Sequence, residues 1–159
     1  MDNPTTRDFI RDRAMIRETA ELYFFFCDSH ESDGVARCFA EDGLFRSLTQ
    51  SEMLLRGRRD LEAGFRNFTK WGRCCHLITS MNIVLDGETA TSRLFAVSYV
   101  AGAAKIGDPI LVRGLAYSDK WIIEDGRWVL AERVHEALWQ FQNTLIPTNL
   151  PRSSSSLET

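Results

Sequence analysis

The sequence has few of the residues and patterns that mark membrane, secreted or metal-binding proteins. Its 159 residues include only four cysteines, three histidines and four prolines. No apolar run approaches the ~18 residues that a membrane-spanning helix needs. The chain does not open on a positively charged segment followed by an apolar stretch, as a secretory signal would. We therefore expect a cytoplasmic protein with no membrane partner.

An excess of charge of either sign is also missing. The net charge is -3 at pH 7, which gives no electrostatic reason to expect a nucleic-acid partner. Arg56, Arg58 and Arg59 cluster without interleaved aromatic residues, and we interpret them as a solvated turn. With 44% hydrophobic and 26% charged residues, the composition is that of a single globular domain.

The four cysteines do not form a metal-binding or disulfide pattern. Cys27, Cys38, Cys74 and Cys75 contain no C-x-x-C pair. Cys74 and Cys75 are adjacent, and adjacent side chains of a strand point to opposite faces. A cytosolic setting disfavours disulfides, so we interpret the cysteines as small core residues. The sequence therefore predicts no metal site.

The N-terminal part of the chain has helical periodicity. Apolar residues at spacings of seven, four, three and four predict a first helix with one buried face: Phe9, Ile16, Ala20, Tyr23 and Cys27. Thr5 and Asp8 resemble a capping box at its start, with Asp in place of Glu or Gln. Further helices are predicted over residues 33–40 and 58–71.

The later part of the chain alternates strand patterns with turn signals. Apolar and β-branched runs flank Asp86-Gly87 and Asp125-Gly126, and a strand is predicted directly after Asp42-Gly43. Asp-Gly between apolar runs is a strong hairpin signal, because a type I′ turn needs positive φ at both central residues. Helices followed by antiparallel strands predict one α+β domain over residues 5–142. Residues 143–159, with two prolines and a run of serines, are predicted to form an extended or disordered tail.

Three polar residues lie at positions expected to face the interior. Asp28 follows the apolar face of the first helix by one residue, and His76 lies near the start of an apolar strand. Arg133 lies on the last strand, where period two puts it on one face with Val129, Ala131 and His135. Together they suit acid–base chemistry. The carboxylate can orient the imidazole, the imidazole can take a proton near neutral pH, and the guanidinium can stabilise negative charge.

Simpler interpretations of the same residues stay open. Asp28 can be a polar residue at a helix end, and His76 can be a core histidine with a hydrogen-bond partner. Arg133 can be a surface residue paired with a neighbouring glutamate. His30 lies among polar and acidic neighbours, and we expect it to be exposed in a solvated connection.

Three segments of the sequence together resemble a known family. They are DSHESDGVARCFAEDGLF from residue 28, HLITSMNI from residue 76 and DGRWVLAERV from residue 125. They resemble SnoaL-like proteins of the nuclear transport factor 2-like superfamily, in the branch that holds scytalone dehydratase, bile-acid 7α-dehydratase and hexachlorocyclohexane dehydrochlorinase. The resemblance covers about residues 8–140. It implies a cone, in which a curved, mostly antiparallel sheet wraps on helices and encloses a cavity.

The resemblance also implies residues of a site. The family's catalytic Asp and His align with Asp28 and His76, and the Arg that several members place on the final strand aligns with Arg133. An Asn often found four residues after the His is Ser80 in this chain. The candidates for substrate binding around the cavity are Tyr23, Phe24, Tyr99, Tyr117 and His135. Whether His135 takes the part of a second catalytic histidine stays open.

The function implied by the resemblance is that of a cofactor-independent lyase of the dehydratase type. It would act on a small apolar, aromatic or polycyclic metabolite, and the Asp–His dyad would remove a carbon-bound proton. An isomerase or a polyketide cyclase could use the same dyad. A non-catalytic ligand-binding or subunit-assembly domain could use the same fold. Members of the branch are often trimeric, so we expect a homo-oligomer, with a trimer favoured and a dimer as the alternative.

Overall fold

The computed structural model describes residues 9–49, 53–67, 72–102 and 107–144, which form three helices and six strands. In chain order these are α1 (Phe9–Asp28), α2 (Ser32–Arg37), β1 (Phe39–Ser47), β2 (Leu54–Arg56), α3 (Arg58–Arg66), β3 (Arg73–Asp86), β4 (Thr89–Ala101), β5 (Pro109–Glu124) and β6 (Arg127–Thr144). The capping pair Thr5 and Asp8 and the last residues of the third predicted helix, 68–71, lie outside the described residues.

The six strands form one mixed sheet in the order β2-β1-β6-β5-β4-β3. β1 and β6 are parallel, and all other neighbouring strands are antiparallel. Shifts of register mark bulges in β1, β3 and β6, and bulges bend a strand and increase its twist. The sheet is curved and unclosed, with the helices on one side. The predicted α+β fold with a mostly antiparallel sheet is confirmed.

Helix α1 packs lengthwise on the inner side of the sheet. The buried side chains that form its inner face include Ile16, Ala20, Tyr23 and Phe24. Phe9, which the periodicity placed on this face, is 58% exposed. In the first turn the side chain that faces the interior is that of Asp12. Its Oδ1 accepts a hydrogen bond of 2.9 Å from Nε1 of the buried Trp128 on β6.

The end of α1 has a defined hydrogen-bond pattern. The backbone N–H of Glu31 donates to the carbonyl of Phe26 at 2.9 Å, and that of His30 donates to the carbonyl of Cys27 at 3.3 Å. His30 has a φ of 60°. This is a Schellman motif with His30 in the left-handed position that glycine usually occupies. The motif stops the helix directly after Asp28, and it fixes the direction of the chain into α2.

Two of the three Asp-Gly pairs form the predicted hairpin turns. Asp125-Gly126 has φ values of 51° and 73° between β5 and β6, as a type I′ turn requires. Between β3 and β4, Asp86 pairs with Thr89, so the central residues of the turn are Gly87, with φ of 58°, and Glu88. This hairpin is as predicted, but only one of its central residues has positive φ, so the turn is not of type I′. The strand predicted directly after Asp42-Gly43 begins earlier, at Phe39, and the pair lies inside it at a bulge. A Cβ at Gly43 would lie 2.9 Å from the carbonyl oxygen of Leu130, so glycine permits close approach to β6.

A bulge also changes which residues of β6 face inward. Lys120 pairs with Glu132 and Trp121 pairs with Leu130, which leaves Ala131 as an extra residue. Trp128 and Leu130 before the bulge therefore share the inner face with Arg133 and His135 after it. The sequence predicted one face with Val129, Ala131, Arg133 and His135, on the assumption that alternation is unbroken along the strand. That prediction is wrong for Val129 and Ala131, which lie before and at the bulge.

The described chain runs slightly past the predicted end of the domain. Strand β6 continues to Thr144, whereas the domain was predicted to end at residue 142. The rest of the predicted tail, residues 145–159, lies outside the described residues. Within the described ranges, none of the helices combines the length and the apolar character that a membrane-spanning helix needs.

Candidate functional site

A cavity of about 160 Å³ lies between the helices and the inner face of the sheet. Most of its wall is apolar, with Phe26 from α1, Val35 from α2, Phe45 from β1, Phe65 from α3 and Leu115 from β5. Such a wall excludes water and suits an apolar ligand. The few polar groups on this wall therefore decide what the cavity can bind or transform.

His76 lies on the wall of this cavity, and Asp28 contacts it from outside the cavity lining. The Nδ1 atom of His76 lies 2.6 Å from Oδ1 of Asp28, and the backbone N–H of His76 donates to Oδ2 at 2.8 Å. This is within the hydrogen-bond distance that a dyad requires; the catalytic role stays a prediction. A carboxylate only accepts hydrogen bonds, so Nδ1 carries the proton and Nε2 is left as the basic atom.

The surroundings of Asp28 keep it ionised. Its partial burial by itself would raise the pKa, but hydrogen bonds from the ring and the backbone of His76, followed by electrostatic attraction to His76 and a hydrogen bond from Cys74, lower the pKa overall. Phe24 stacks on the imidazole with ring centroids 5.1 Å apart and an interplanar angle of 29°. Phe24 therefore contacts the dyad, but it packs behind the imidazole in the core and is not part of the cavity wall.

Asp28, Cys74 and His76 are also the one described group of side chains that could hold a metal ion, with donor atoms within 4.8 Å of one another. Their contacts favour a hydrogen-bonded arrangement. Burial, followed by the neighbouring Asp28 carboxylate, raises the pKa of Cys74 to about 12, and its thiol donates to the carbonyl of Cys27 at 3.6 Å. The short Asp28–His76 hydrogen bond joins two of these three residues directly, so in this structure they form a hydrogen-bonded pair with the Cys74 thiol beside it.

His135 is a second histidine on the cavity wall. Its Nδ1 lies 3.0 Å from Oγ of Ser47, and its ring lies 5.2 Å from that of Tyr117. Burial, followed by electrostatic repulsion from Arg113, His76 and Arg133 against the protonated ring, lowers its pKa to about 4. The imidazole is therefore neutral at pH 7, and it can serve as a neutral hydrogen-bond donor or acceptor toward a ligand.

Arg133 faces the interior, as the sequence predicts, but it does not line the cavity. Its side chain is fully buried, and it forms two hydrogen bonds with Asp119, of 2.8 and 2.9 Å. Its guanidinium lies 4.2 Å from the ring centroid of Tyr23 and 4.9 Å from that of Tyr117. These two rings line the cavity and Arg133 does not. Arg133 and Asp119 form a buried ion pair beneath the aromatic wall. The interpretation of Arg133 as a surface residue paired with a glutamate is therefore wrong.

The tyrosines named from the sequence divide between the two faces of the sheet. Tyr23 and Tyr117 are buried in the wall of the cavity. Tyr99 is 40% exposed on the outer face, because Ser98 and Val100 on either side of it face the cavity and successive residues of a strand alternate. The predicted substrate contact of Tyr99 is therefore wrong.

His30 is exposed, as expected, but it also lies at the mouth of the cavity. Asp33, three residues later, lies on the solvated side of α2 and forms an exposed ion pair with Arg37. All three histidines of the chain thus contribute to the cavity wall. His30 was not predicted as a site residue, since its position depends on how the Schellman motif turns the chain.

Arg113 and Ser98 are wall residues that sequence reasoning missed. Ser98 on β4 pairs with His76 on one side and with Arg113 of β5 on the other. The available signal was a single charge inside the apolar segment ILVRGLAY. The register that aligns this arginine with His76 involves three strands, and it could not be read from one segment.

Comparisons with known proteins agree with this architecture. A model of the SnoaL-like domain family matches residues 8–134. Rv3472, a protein of unknown function from Mycobacterium tuberculosis, is 27% identical with a TM-score of 0.72, over 85% of this chain and 76% of that chain. No curated protein gives a significant match.

Two further solved structures share the fold at lower identity. A scytalone dehydratase-like protein from Novosphingobium aromaticivorans is 15% identical with a TM-score of 0.75, over 88% of this chain and 95% of that chain. A hexachlorocyclohexane dehydrochlorinase, LinA type 2, is 12% identical with a TM-score of 0.77, over 90% of this chain and 96% of that chain.

Proposed function

The chain belongs to the SnoaL-like domain family, and on that premise we propose that it is a lyase of the dehydratase type that needs no cofactor. The observation that carries the proposal is that His76, which lines an apolar cavity, is hydrogen-bonded to the Asp28 carboxylate behind it. Similarity in fold to a dehydrochlorinase and to a scytalone dehydratase-like protein supports it at the level of reaction class. Fold alone does not assign an activity, so the dyad is the main support.

In the proposed reaction, Nε2 of His76 removes a proton from the carbon next to a carbonyl group of the ligand. Asp28 stabilises the imidazolium that forms and holds the ring in place. The electron pair of the broken C–H bond forms the new C=C bond as the C–O bond on the next carbon breaks. The leaving hydroxyl takes the proton back from His76 and departs as water. The neutral His135 and the Tyr117 hydroxyl are the groups that can hydrogen-bond ligand oxygens.

Isomerisation and cyclisation can begin with the same proton removal, and the proposal includes them as alternatives that differ only in the fate of the carbanion. A ligand-binding domain is a different alternative. The apolar cavity would serve such a domain equally well, but a binding domain has no use for a basic Nε2 backed by a partly buried carboxylate. The decisive measurement is therefore proton removal itself, whichever product the carbanion then gives.

The test uses hydrogen–deuterium exchange at carbon. The protein is incubated in D₂O with 2-tetralone and with 3-hydroxy-1-tetralone, and NMR follows deuterium at the α-carbon and the release of 1-naphthol from the second ketone. We expect exchange above the rate in buffer, loss of that exchange in His76→Ala, and no change on addition of EDTA. Cys75→Ala, which changes an exposed residue of β3 next to His76, is the matched control. Wild-type exchange no faster than buffer, over a panel of such ketones, would favour the binding domain.

A further inference from the structure

One row of side chains crosses three strands of the sheet at the level of the dyad. His76 on β3 pairs with Ser98 on β4, and Ser98 pairs with Arg113 on β5. Directly paired residues of antiparallel strands point to the same face, and all three side chains line the cavity. Ser98 is only 2% exposed. The base of the dyad and the guanidinium thus stand at the two ends of one row, with a buried hydroxyl between them.

The described part of the cavity wall carries charge of one sign, which is positive. Among the wall residues within the described ranges, Arg113 carries a positive charge and no side chain is a carboxylate. The dyad carboxylate of Asp28 is directed at His76 and not at Arg113. The positive charge of Arg113 also reaches across the cavity, since it contributes after burial to lowering the pKa of His135.

Arg133, the second interior arginine, lies in a different environment from Arg113. Arg133 is buried with a bidentate carboxylate partner, Asp119, and both lie behind the aromatic wall. Arg113 differs in its position, because its side chain lines the cavity. A guanidinium suits planar anions, because its parallel N–H groups match the two oxygens of a carboxylate. The position of Arg113 on the wall therefore bears on the ligand and not only on the fold.

We infer that Arg113 and Ser98 form an anion-binding subsite, and that the ligand of this cavity carries a carboxylate or another acidic oxygen group opposite the carbon that faces His76. Two strand spacings separate His76 from Arg113, about 10 Å between Cα atoms. With both side chains reaching inward, a single ring can bridge the imidazole and the guanidinium. This inference rests on the proposed function only in stating which end of the ligand reacts; the binding of the anion does not depend on turnover.

The experiment compares two ligands of equal shape and different charge. Binding of 2-naphthoate and of 2-naphthamide is measured by calorimetry at pH 7.5, with thermal melting to verify that each variant is folded. We expect wild type to prefer the naphthoate by about tenfold or more, the range of a hydrogen bond to a charged group. Arg113→Met should bind the two ligands equally, with the naphthamide affinity unchanged. Arg113→Lys should recover part of the preference.

Controls separate this inference from the proposed function. Arg93→Met, which removes an exposed arginine from the outer face of β4, should leave both affinities unchanged. Asp28→Asn should lose α-proton exchange and keep the preference for naphthoate, so the two ideas can fail independently. A wild type that binds both ligands equally, or neither at 5 mM, overturns the subsite. So does a preference that persists in Arg113→Met or, if that variant does not fold, in Arg113→Gln.

Discussion

At the scale of single residues, Asp28 and His76 form one hydrogen-bonded unit and not two separate groups. One carboxylate holds both the ring and the backbone of His76, so removal of either member leaves the other without its partner. This predicts a characteristic pattern of kinetic losses, which can be measured once the exchange assay has found a substrate.

His76→Ala should lower kcat by ~10²–10⁴, the usual contribution of a general base. Asp28→Asn should also lower it, because an amide cannot stabilise the imidazolium and can favour the wrong tautomer. The double variant should resemble the worse single variant, since residues that act as a unit do not give additive losses. His30→Ala should keep most of the activity. An inactive His30→Ala beside an active His76→Ala would reverse our assignment of the base.

For Arg133 we predict a loss of stability. Arg133→Ala leaves the buried Asp119 carboxylate without its main partner, although Ser92 still donates to it at 3.0 Å. Breaking a buried ion pair from one side costs about 3–5 kcal/mol in free energy of unfolding, which urea denaturation can measure. Arg93→Ala on the exposed side of β4 is the control and should cost little. A variant of normal stability that has lost only turnover would instead return Arg133 to the catalytic group.

The acid stability of the protein should depend on His135. Its pKa is about 4 in the folded protein, against about 6.5 in an unfolded chain. As pH falls from 6.5 to 4 the unfolded state therefore takes up the proton first, and folding is disfavoured by about 3 kcal/mol at pH 4. Denaturation curves at pH 7 and pH 4 give the free energy of unfolding that is lost between the two pH values. In His135→Gln this loss should be smaller than in wild type by about that amount. Equal pH dependence in the variant and wild type would contradict this.

At the scale of elements, the ends and bulges of helices and strands position the cavity residues. The Schellman motif ends α1 after Asp28 and brings His30 to the mouth of the cavity. The bulge at Ala131 puts Arg133 and His135 on the inner face of β6. These irregular points, rather than the regular segments, decide which polar groups meet inside the cone.

The left-handed residue at the end of α1 gives a prediction of its own. A non-glycine residue with positive φ costs about 1 kcal/mol or more, so His30→Gly should raise the free energy of unfolding by about 1 kcal/mol. Ser29→Gly, one residue earlier and without a positive φ, should lower it slightly, because glycine gains more entropy on unfolding. Thermal or urea denaturation gives both values. A destabilised His30→Gly would mean that contacts of the imidazole outweigh the strain.

At the scale of the whole molecule, the outer face of the sheet is unusually apolar. Leu77, Tyr99, Trp139 and Phe141 are each about half exposed. The indole of Trp139 lies over Gly114, where a Cβ would come within 2.0 Å of the ring, and it stacks on Phe141 with centroids 6.2 Å apart. Apolar patches of this kind are typical of interfaces, and we propose that the protein is a homo-oligomer through this face.

Light scattering coupled to size-exclusion chromatography should then give a mass that is a multiple of the 18.2 kDa chain, with three chains favoured over two. Replacing both Trp139 and Phe141 by Ser should reduce the mass to one chain. Leu22→Ser, a partly exposed apolar residue of α1 away from the sheet, should leave the mass unchanged. A monomeric wild type at all concentrations would contradict the proposal.

The sequence by itself determined α1, the long strands β3 to β6 and the pair Asp28 and His76, whereas β2 and the first half of β1 were not predicted. Helical periodicity placed α1, and the turns at Asp86-Gly87 and Asp125-Gly126 followed from the φ preference of glycine, because both signals depend on neighbours within a few residues. The resemblance of three short segments was enough for the family and for the pairing of Asp28 with His76.

Only the tertiary structure decided what surrounds the dyad. The predicted inner face of β6 assumed unbroken alternation along the strand. The bulge at Ala131 depends on the pairing with β5 and has no signal in its own segment. Arg133 became a buried partner of Asp119, Tyr99 turned outward, and Arg113 came into register with His76 across three strands. Each of these outcomes depends on contacts between residues 14 or more positions apart, so the physical cause lies in the pairing and curvature of the sheet and not in the local chain.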